Sequence, residues 1–329
     1  MTPAKPTALV LFAGGGGSTL GLERAGFDTL SVDNEQHCID TLDANGFPYQ
    51  MADLSTREGR RWLAEGWSQV HQGERPDLLW ASPPCQPFSK ARQKPTLVEP
   101  PPMDNRSDGF LWTLAVVRML KPRSLIIENV AGAPWIEWER AIRRIYPYVG
   151  VLTLDASDLG VPQHRTRQFL LASESPWGFG HPPAGELRVT LGEALPWTHR
   201  LRRYQQAGRS PAPGTVPEGT LTYPPGTGGN KPQLLDRPAP TVTCQESKGT
   251  RASAASNWHY NGGPDRLSDA LFSAVRVRRA TVQDCLIIQG FPADYKLVGT
   301  IEQQYRMVGN AVPPVMAQKL GKVFNSGGE

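Results

Sequence analysis

The sequence predicts an α/β protein built on a doubly wound sheet, with a smaller loop-rich region placed late in the chain. Three observations carry this. Short β-type runs alternate with helix-like stretches through the first half. The first of these runs passes through four consecutive glycines into a helix-like segment. Beyond Ser173 the texture turns rich in Pro, Gly and Arg and loses its periodicity.

Taken in order, Ala8–Phe12 reads as a strand and Leu20–Ala25 as the helix after it, and Thr29–Val32 with Cys38–Asn45 repeats the unit. Leu78–Ala81, Leu125–Glu128 and Gly150–Leu154 are further strand-like runs, with Leu111–Leu120 a helix between the first two, and Gln168–Ala172 is a last β-like run. A sheet of this kind collects its ligands at the carboxyl ends of its strands. The stretches Pro176–Pro183, Arg200–Pro213 and Tyr223–Lys231 are dominated by turn formers, which indicates a loop-rich lobe rather than a second large core. A tighter pattern returns at Arg276–Phe291, and a turn at Gly309–Pro314 leads into a helix over Val315–Val323.

A chain of 329 residues exceeds what one core comfortably fills, so one large and one small domain are expected. The formal charge of +4, with arginines far outnumbering lysines, suits phosphate contact without marking a polybasic tail. No apolar run approaches the ~18 residues of a membrane span. Met1–Pro6 lacks the regions of a signal peptide, so a cytoplasmic protein is expected. Cys38, Cys85, Cys244 and Cys285 lie far apart with no C-x-x-C pair, which suggests neither a disulfide framework nor a metal site. Cys38 and Cys285 read as small buried hydrophobes.

The run from Leu9 through Gly14, Gly15, Gly16 and Gly17 to Glu23 lets the backbone turn sharply and approach a nucleotide-like ligand. No Lys-Ser/Thr follows the glycines, so it is not a phosphate-binding P-loop, and the G-x-G-x-x-G spacing is not met from Gly14. Asp33 ends the next strand-like run at about the distance where an acid accepts hydrogen bonds from ribose hydroxyls. Asp53 could take an adenine amino group; either acid alone reads first as a capping or solvated residue, until the motifs combine.

After Leu78–Ala81 comes Ser82-Pro83-Pro84-Cys85-Gln86-Pro87, where prolines stiffen the chain around a thiol at a strand's carboxyl end. Such a cysteine is better placed for chemistry than for core packing. Lys90, Arg92, Arg165 and Arg167 are candidates for the positive charge that raises its thiolate fraction. The next strand-like run ends in Glu128-Asn129-Val130, so a carboxyl group is expected across the same crevice.

With these residues in view, the chain resembles the cytosine-C5 DNA methyltransferase family. Phe12-Ala13-Gly14-Gly15-Gly16-Gly17 resembles its F-x-G-x-G-G cofactor loop, Pro84-Cys85-Gln86 its nucleophile motif and Glu128-Asn129-Val130 its E-N-V. Gln163-His164-Arg165-Thr166-Arg167 resembles its Q-x-R-x-R. Arg237–Thr243, Gln289-Gly290-Phe291-Pro292 and Gly309–Pro314 match its late motifs, in family order.

The resemblance implies a Rossmann-like, S-adenosylmethionine-dependent methyltransferase sheet over residues 1–173 and 308–329, with a target recognition domain over 174–307. It implies that Cys85 adds to C6 of a flipped-out cytosine. Glu128, its proton affinity raised by burial, would protonate or hydrogen-bond N3, while Asn129 and Arg167, with Arg165 alongside, position the base. For the cofactor it implies Phe12 against the adenosine, Gly14, Gly16 and Gly17 along the methionine, Asp33 on the ribose, Asp53 on the adenine and Asn310 near the carboxyl end. Asn34, Pro84 and Ala311 complete that set, and no metal is implied. Asp33 stands where the family more often has Glu, and Asn34 where an apolar residue often lies. The implied partner is double-stranded DNA, met as a monomer, and the companion stays open between a restriction enzyme, a phage modification system and none. His199–Arg209 is the expected DNA-contacting stretch, and Lys90–Asp108 the expected lid.

Three other readings compete with this one. The family's transfer-RNA branch carries a Cys-Phe-Thr tripeptide that is absent here. A catalytically silent relative would not need Cys85, Glu128 and Arg167 together. A nicotinamide oxidoreductase would leave Pro84-Cys85-Gln86 and Glu128-Asn129-Val130 unexplained.

Overall fold

The structure, a computed structural model, describes residues 4–84, 109–178, 188–195, 220–221, 233–234, 238–239, 241–242 and 281–325. Cys85, Cys244, Arg237, the Lys90–Asp108 stretch and His199–Arg209 lie outside the described residues. The chain divides into two compact units. Met1–Asp155, Thr166–His181 and Ala311–Glu329 form the first, and Ala156–Arg165 with Pro182–Asn310 the second. These bounds differ from 173 and 308, and nothing in the sequence marks residues 156–165 as belonging with the later region.

The first unit is a seven-stranded sheet. Its strands are β1 (Thr7–Leu11), β2 (Asp28–Asp33), β3 (Tyr49–Met51), β4 (Leu78–Ala81), β5 (Ser124–Asn129), β6 (Tyr148–Asp155) and β7 (Thr166–Ser173), in the order β3-β2-β1-β4-β5-β7-β6. β3, β2, β1, β4 and β5 run parallel, while β7 lies antiparallel between β5 and β6. All residues of β4 and β5 are buried, which is why they read as unbroken apolar runs rather than alternating ones. The order reverses between β1 and β4, and this switch point opens a crevice at the carboxyl ends of the parallel strands.

The helices α1 (Gly17–Arg24), α2 (Gln36–Ala44), α3 (Arg57–Val70), α4 (Gly109–Leu120) and α5 (Trp135–Ile142) connect these strands. α3 begins where the Thr56 side chain accepts the Gly59 N–H at 2.9 Å, and only Leu63 and Trp67, one turn apart, are buried along it. α5 buries Trp135, Trp138 and Ile142, a stripe of one face. Leu9, Leu11, Leu79, Ala81, Leu125 and Ile127 meet Phe110, Leu114, Trp135 and Trp138 in one core cluster, where the Phe110 and Trp138 rings stack at 4.7 Å.

The second unit contains α6 (Leu191–Ala194), the short antiparallel pair β8 (Thr220–Leu221) and β9 (Gln233–Leu234), and the helices α7 (Val282–Ile288) and α8 (Ile301–Asn310). α7 opens with a capping box, Thr281 and Asp284 each accepting the other's backbone N–H. Its Cys285 is fully buried, as Cys38 is on α2.

The last helix, α9 (Pro314–Asn325), packs in the first unit on α1. The contact is so close that a Cβ on Gly21 would stand 2.5 Å from Ala317 Cβ and 2.8 Å from Gln318 N, and one on Gly321 would stand 2.7 Å from Leu22 Cδ2. Asn325 Nδ2 donates to Ala25 O at 2.6 Å and Gln318 Nε2 to Arg24 O at 3.2 Å, which pins the end of α1.

Candidate active site

At the switch point β1 ends at Leu11, one residue before the expected Phe12. Strand alternation sends Leu9 and Leu11 into the α4-side core, and Phe12 would point the other way. Its φ of 57°, in the left-handed region, turns it back so that its ring packs on the same cluster. A non-glycine residue held there costs about 1–3 kcal/mol, and such strain concentrates at functional sites. Gly14 (φ 54°) and Gly16 (φ 78°) carry the turn onward, and Gly16 caps α1, whose first residue is Gly17. A Cβ on Gly14 would meet nothing within 4 Å, so the loop faces open space.

Asp33, at the end of β2, turns its carboxyl group to this loop. Oδ2 accepts the Gly14 N–H at 2.8 Å and Oδ1 the Glu35 N–H at 3.0 Å. Burial pushes its pKa upward, and the backbone N–H bonds only partly offset that. Asn34 is exposed beside it. Asp53, also exposed, accepts the Ser55 N–H at 2.9 Å through Oδ1, and its carbonyl takes the Thr56 hydroxyl. That is the hydrogen bonding of a turn leading into α3.

β4 ends at Ala81, and Ser82-Pro83-Pro84 leads off it toward Cys85, with Pro83 buried and Pro84 exposed. Asn129 holds this turn from the next strand. Its amide is 1% exposed, Nδ2 donates to Pro83 O at 3.0 Å, and Oδ1 accepts the Val130 N–H at 2.8 Å. Both ends of the amide are therefore spent on backbone groups. Gly109 closes on the turn from the other side: a Cβ there would stand 2.7 Å from Pro83 Cβ and 2.9 Å from Pro84 Cδ. No sequence pattern singles out Gly109, because its constraint comes from a tertiary approach.

Antiparallel pairing sets Glu128 opposite Phe169, and Arg167, two residues before Phe169, shares that face. Arg167 Nε lies 3.1 Å from Glu128 Oε1, with the side chains only 14% and 9% exposed. The pair is thus largely withdrawn from water, where charge-assisted contacts are strong and a lost partner is costly.

Arg165 takes a different place. It lies in the second unit, 1% exposed, with Nη1 donating to Val242 O at 3.0 Å and Nη2 to Gly309 O at 2.9 Å. Gln163, fully buried, accepts the Val242 N–H at 3.2 Å, and Ala239 O accepts the His164 N–H at 2.7 Å. The first half of Q-x-R-x-R thus knits the late Pro-Ala-Pro-Thr-Val segment, while Arg167 stands beside Glu128. Asn310 is exposed at the end of α8 in the second unit, and Ala311, 7% exposed, begins the final segment of the first. Among the described residues no group of His, Cys, Asp and Glu could hold a metal ion, and no described helix is long and apolar enough to cross a membrane.

The model of the family described as C-5 cytosine-specific DNA methylase matches residues 7–184 and 223–326. The chain belongs to that family. The Type II methyltransferase M.AplI of Arthrospira platensis is 26% identical over 95% of this chain and 84% of its own length. M.NgoMIV of Neisseria gonorrhoeae is 27% identical over 96% of each. Among solved structures, a DNMT2 mutant of Spodoptera frugiperda superposes with a TM-score of 0.62 at 18% identity, covering 97% of this chain and 99% of that one. The Entamoeba histolytica methyltransferase EhMeth gives 0.62 at 16%, covering 98% of each. At such identities the likeness concerns the fold, which is the Rossmann-like sheet of this methylase family. The matched span contains Phe12-Ala13-Gly14, Pro84-Cys85-Gln86, Glu128-Asn129-Val130 and the Q-x-R-x-R segment.

Proposed function

We propose that this methylase transfers a methyl group from S-adenosylmethionine to C5 of a cytosine flipped out of a specific site in duplex DNA, through a covalent bond between Cys85 and C6. The observation that carries this is the withdrawn Glu128–Arg167 pair beside the Asn129-held Pro83-Pro84 turn that leads by one peptide bond to Cys85. The discontinuous first unit is then the catalytic domain, and the second unit the one that reads DNA.

The open space over Gly14 and the carboxyl group of Asp33 fit an adenosyl amino acid, held by Phe12, Gly14, Gly16, Gly17, Asp33 and Asn34 with Asp53, Pro84 and Ala311. When bound, its sulfonium supplies an electrophilic methyl group. The chain's own residues supply the rest. The Cys85 thiolate forms the S–C6 bond, and the C5=C6 electron pair moves to C5, making that carbon a nucleophile. Glu128 delivers a proton or hydrogen bond to N3, and Arg167, drawn from its contact with Glu128, steadies O2 as charge collects there. After methylation a solvent water takes the C5 proton, the C5–H electron pair restores the C5=C6 double bond as the S–C6 bond breaks to return the thiolate, and the N3 proton goes back to Glu128. A base inside a duplex cannot present C6 to a thiol, so extrusion precedes chemistry.

DNA carrying 5-fluorocytosine tests this, because it has no C5 proton to lose. The protein is expected to stay attached through Cys85, Cys85→Ser to form no adduct while still binding DNA, and Glu128→Gln to form it roughly 100-fold more slowly. An adduct mapped by mass spectrometry to Cys38, Cys244 or Cys285 overturns the assignment, and methyl transfer to transfer RNA but not DNA overturns the substrate.

A further inference from the structure

We propose that Trp112 forms, with Phe12, the apolar wall against which the adenosine of the cofactor lies. The inference rests on the reading that this chain binds S-adenosylmethionine at the carboxyl end of β1.

Trp112 stands in the first turn of α4, and that turn is anchored at the crevice. Gly109, at its start, is pressed on Pro83 and Pro84 at the end of β4, the strand next to β1 across the switch point. The indole lies 6.5 Å, centroid to centroid, from the Phe12 ring, with the planes tilted by 38°. Both side chains are half-buried: they lean on the core cluster without being sealed into it. Phe12 has a left-handed backbone and stands two residues before Gly14, where an added Cβ would meet nothing within 4 Å. The opposite rim is polar. Asp33 is turned to the loop, and Asn34 and Glu35 are exposed. A purine entering there finds hydrogen-bonding groups on the β2 side and its apolar contact on the Phe12–Trp112 side. An indole half-buried at the mouth of a crevice suits that task, since every purine presents a π-face.

The experiment titrates the full-length protein with S-adenosylhomocysteine, by calorimetry and by tryptophan fluorescence. Trp112→Ala is expected to weaken binding about tenfold or more, on the scale of losing one base–aromatic stack. Trp112→Phe is expected to hold the dissociation constant within about threefold of wild type and to lose most of the ligand-induced fluorescence change, since the reporting indole is gone. A merely structural tryptophan would leave that optical change in place. Should Trp112→Ala fail to fold, Trp112→Phe decides alone: retention of the full fluorescence change overturns the proposal. So does unchanged affinity in a folded Trp112→Ala. Absence of binding by the wild-type protein would instead sink the cofactor reading and leave the two failures distinguishable.

Discussion

Arg165 and Arg167 are spelled alike in the sequence, and the structure gives them opposite tasks that substitution can separate. Arg165→Ala removes two hydrogen bonds from a buried guanidinium and leaves the carbonyls of Val242 and Gly309 without those donors. Bonds from a charged donor are worth about 1.5–3 kcal/mol each, so a loss of about 3–6 kcal/mol is expected. For a unit of this size each kcal/mol lowers Tm by roughly 2–4 °C, which places the fall at about 6–24 °C. Arg165→Lys keeps the charge but cannot span both carbonyls, and about half that loss is expected. Arg167→Ala leaves the withdrawn Glu128 carboxyl group without that partner, so it too is expected to melt lower, but it alone is expected to form the 5-fluorocytosine adduct about 100-fold more slowly at a temperature where both variants are folded. The measurements are a circular-dichroism melt and a denaturing-gel time course on the same preparations. An Arg165→Ala protein that melts with the wild type but forms no adduct would refute the division of labour.

Other substitutions read other parts of the structure. Gly21→Ala forces a methyl group toward Ala317 Cβ and the α9 backbone, and overpacking of about 2–3 kcal/mol should appear as a lower urea midpoint with unchanged slope; an unchanged midpoint means the helices are not so close. Asn129→Ala leaves Pro83 O and Val130 N–H without the amide, so adduct formation should slow markedly while the dissociation constant for S-adenosylhomocysteine stays within about twofold; a large change in that constant would move Asn129 to the cofactor. Asp33 has a folded-state pKa raised above its ordinary 3.8, so the folded protein binds that proton more tightly than the unfolded chain, and the associated stability is lost as pH rises from about 3.8 through the raised value. The stability of wild type relative to Asp33→Asn should therefore fall as pH rises through that window, and a wild type that gains on the variant there contradicts burial as the dominant cause.

How much was legible in the sequence follows from what each residue answers to. β4 and β5 are sealed on both faces, and their continuous apolar runs mark them within a residue or two. α3 left no comparable trace because Leu63 and Trp67 alone anchor it among charged neighbours. β3, three residues long with Tyr49 and Met51 exposed, carries no alternation to read. The insertion of β7 between β5 and β6 is a matter of pairing partners, which local pattern does not encode, yet it is what brings Arg167 to Glu128. Motif spelling pointed to Asn129 and Asp33, while their bonding depends on where Pro83 O and the Gly14 N–H come to lie. Gly109 and Trp112 answer only to neighbours distant in sequence, and no spacing rule reaches them.

The Asn325–Ala25 bond joins residues 300 apart, and the same helix fills the glycine face of α1 directly behind the Gly14–Gly17 loop. During synthesis at about 5–20 residues per second, α1 leaves the ribosome roughly 15–60 seconds before the helix that covers it. For that interval Gly21 and Leu22 have no lid, and the loop from Phe12 to Gly16 lacks its backing. If this loop holds the methyl donor as proposed, that competence arrives late, with the final helix, so a nascent chain stalled between residue 129 and that helix carries the thiol and the carboxyl group but not the braced cradle.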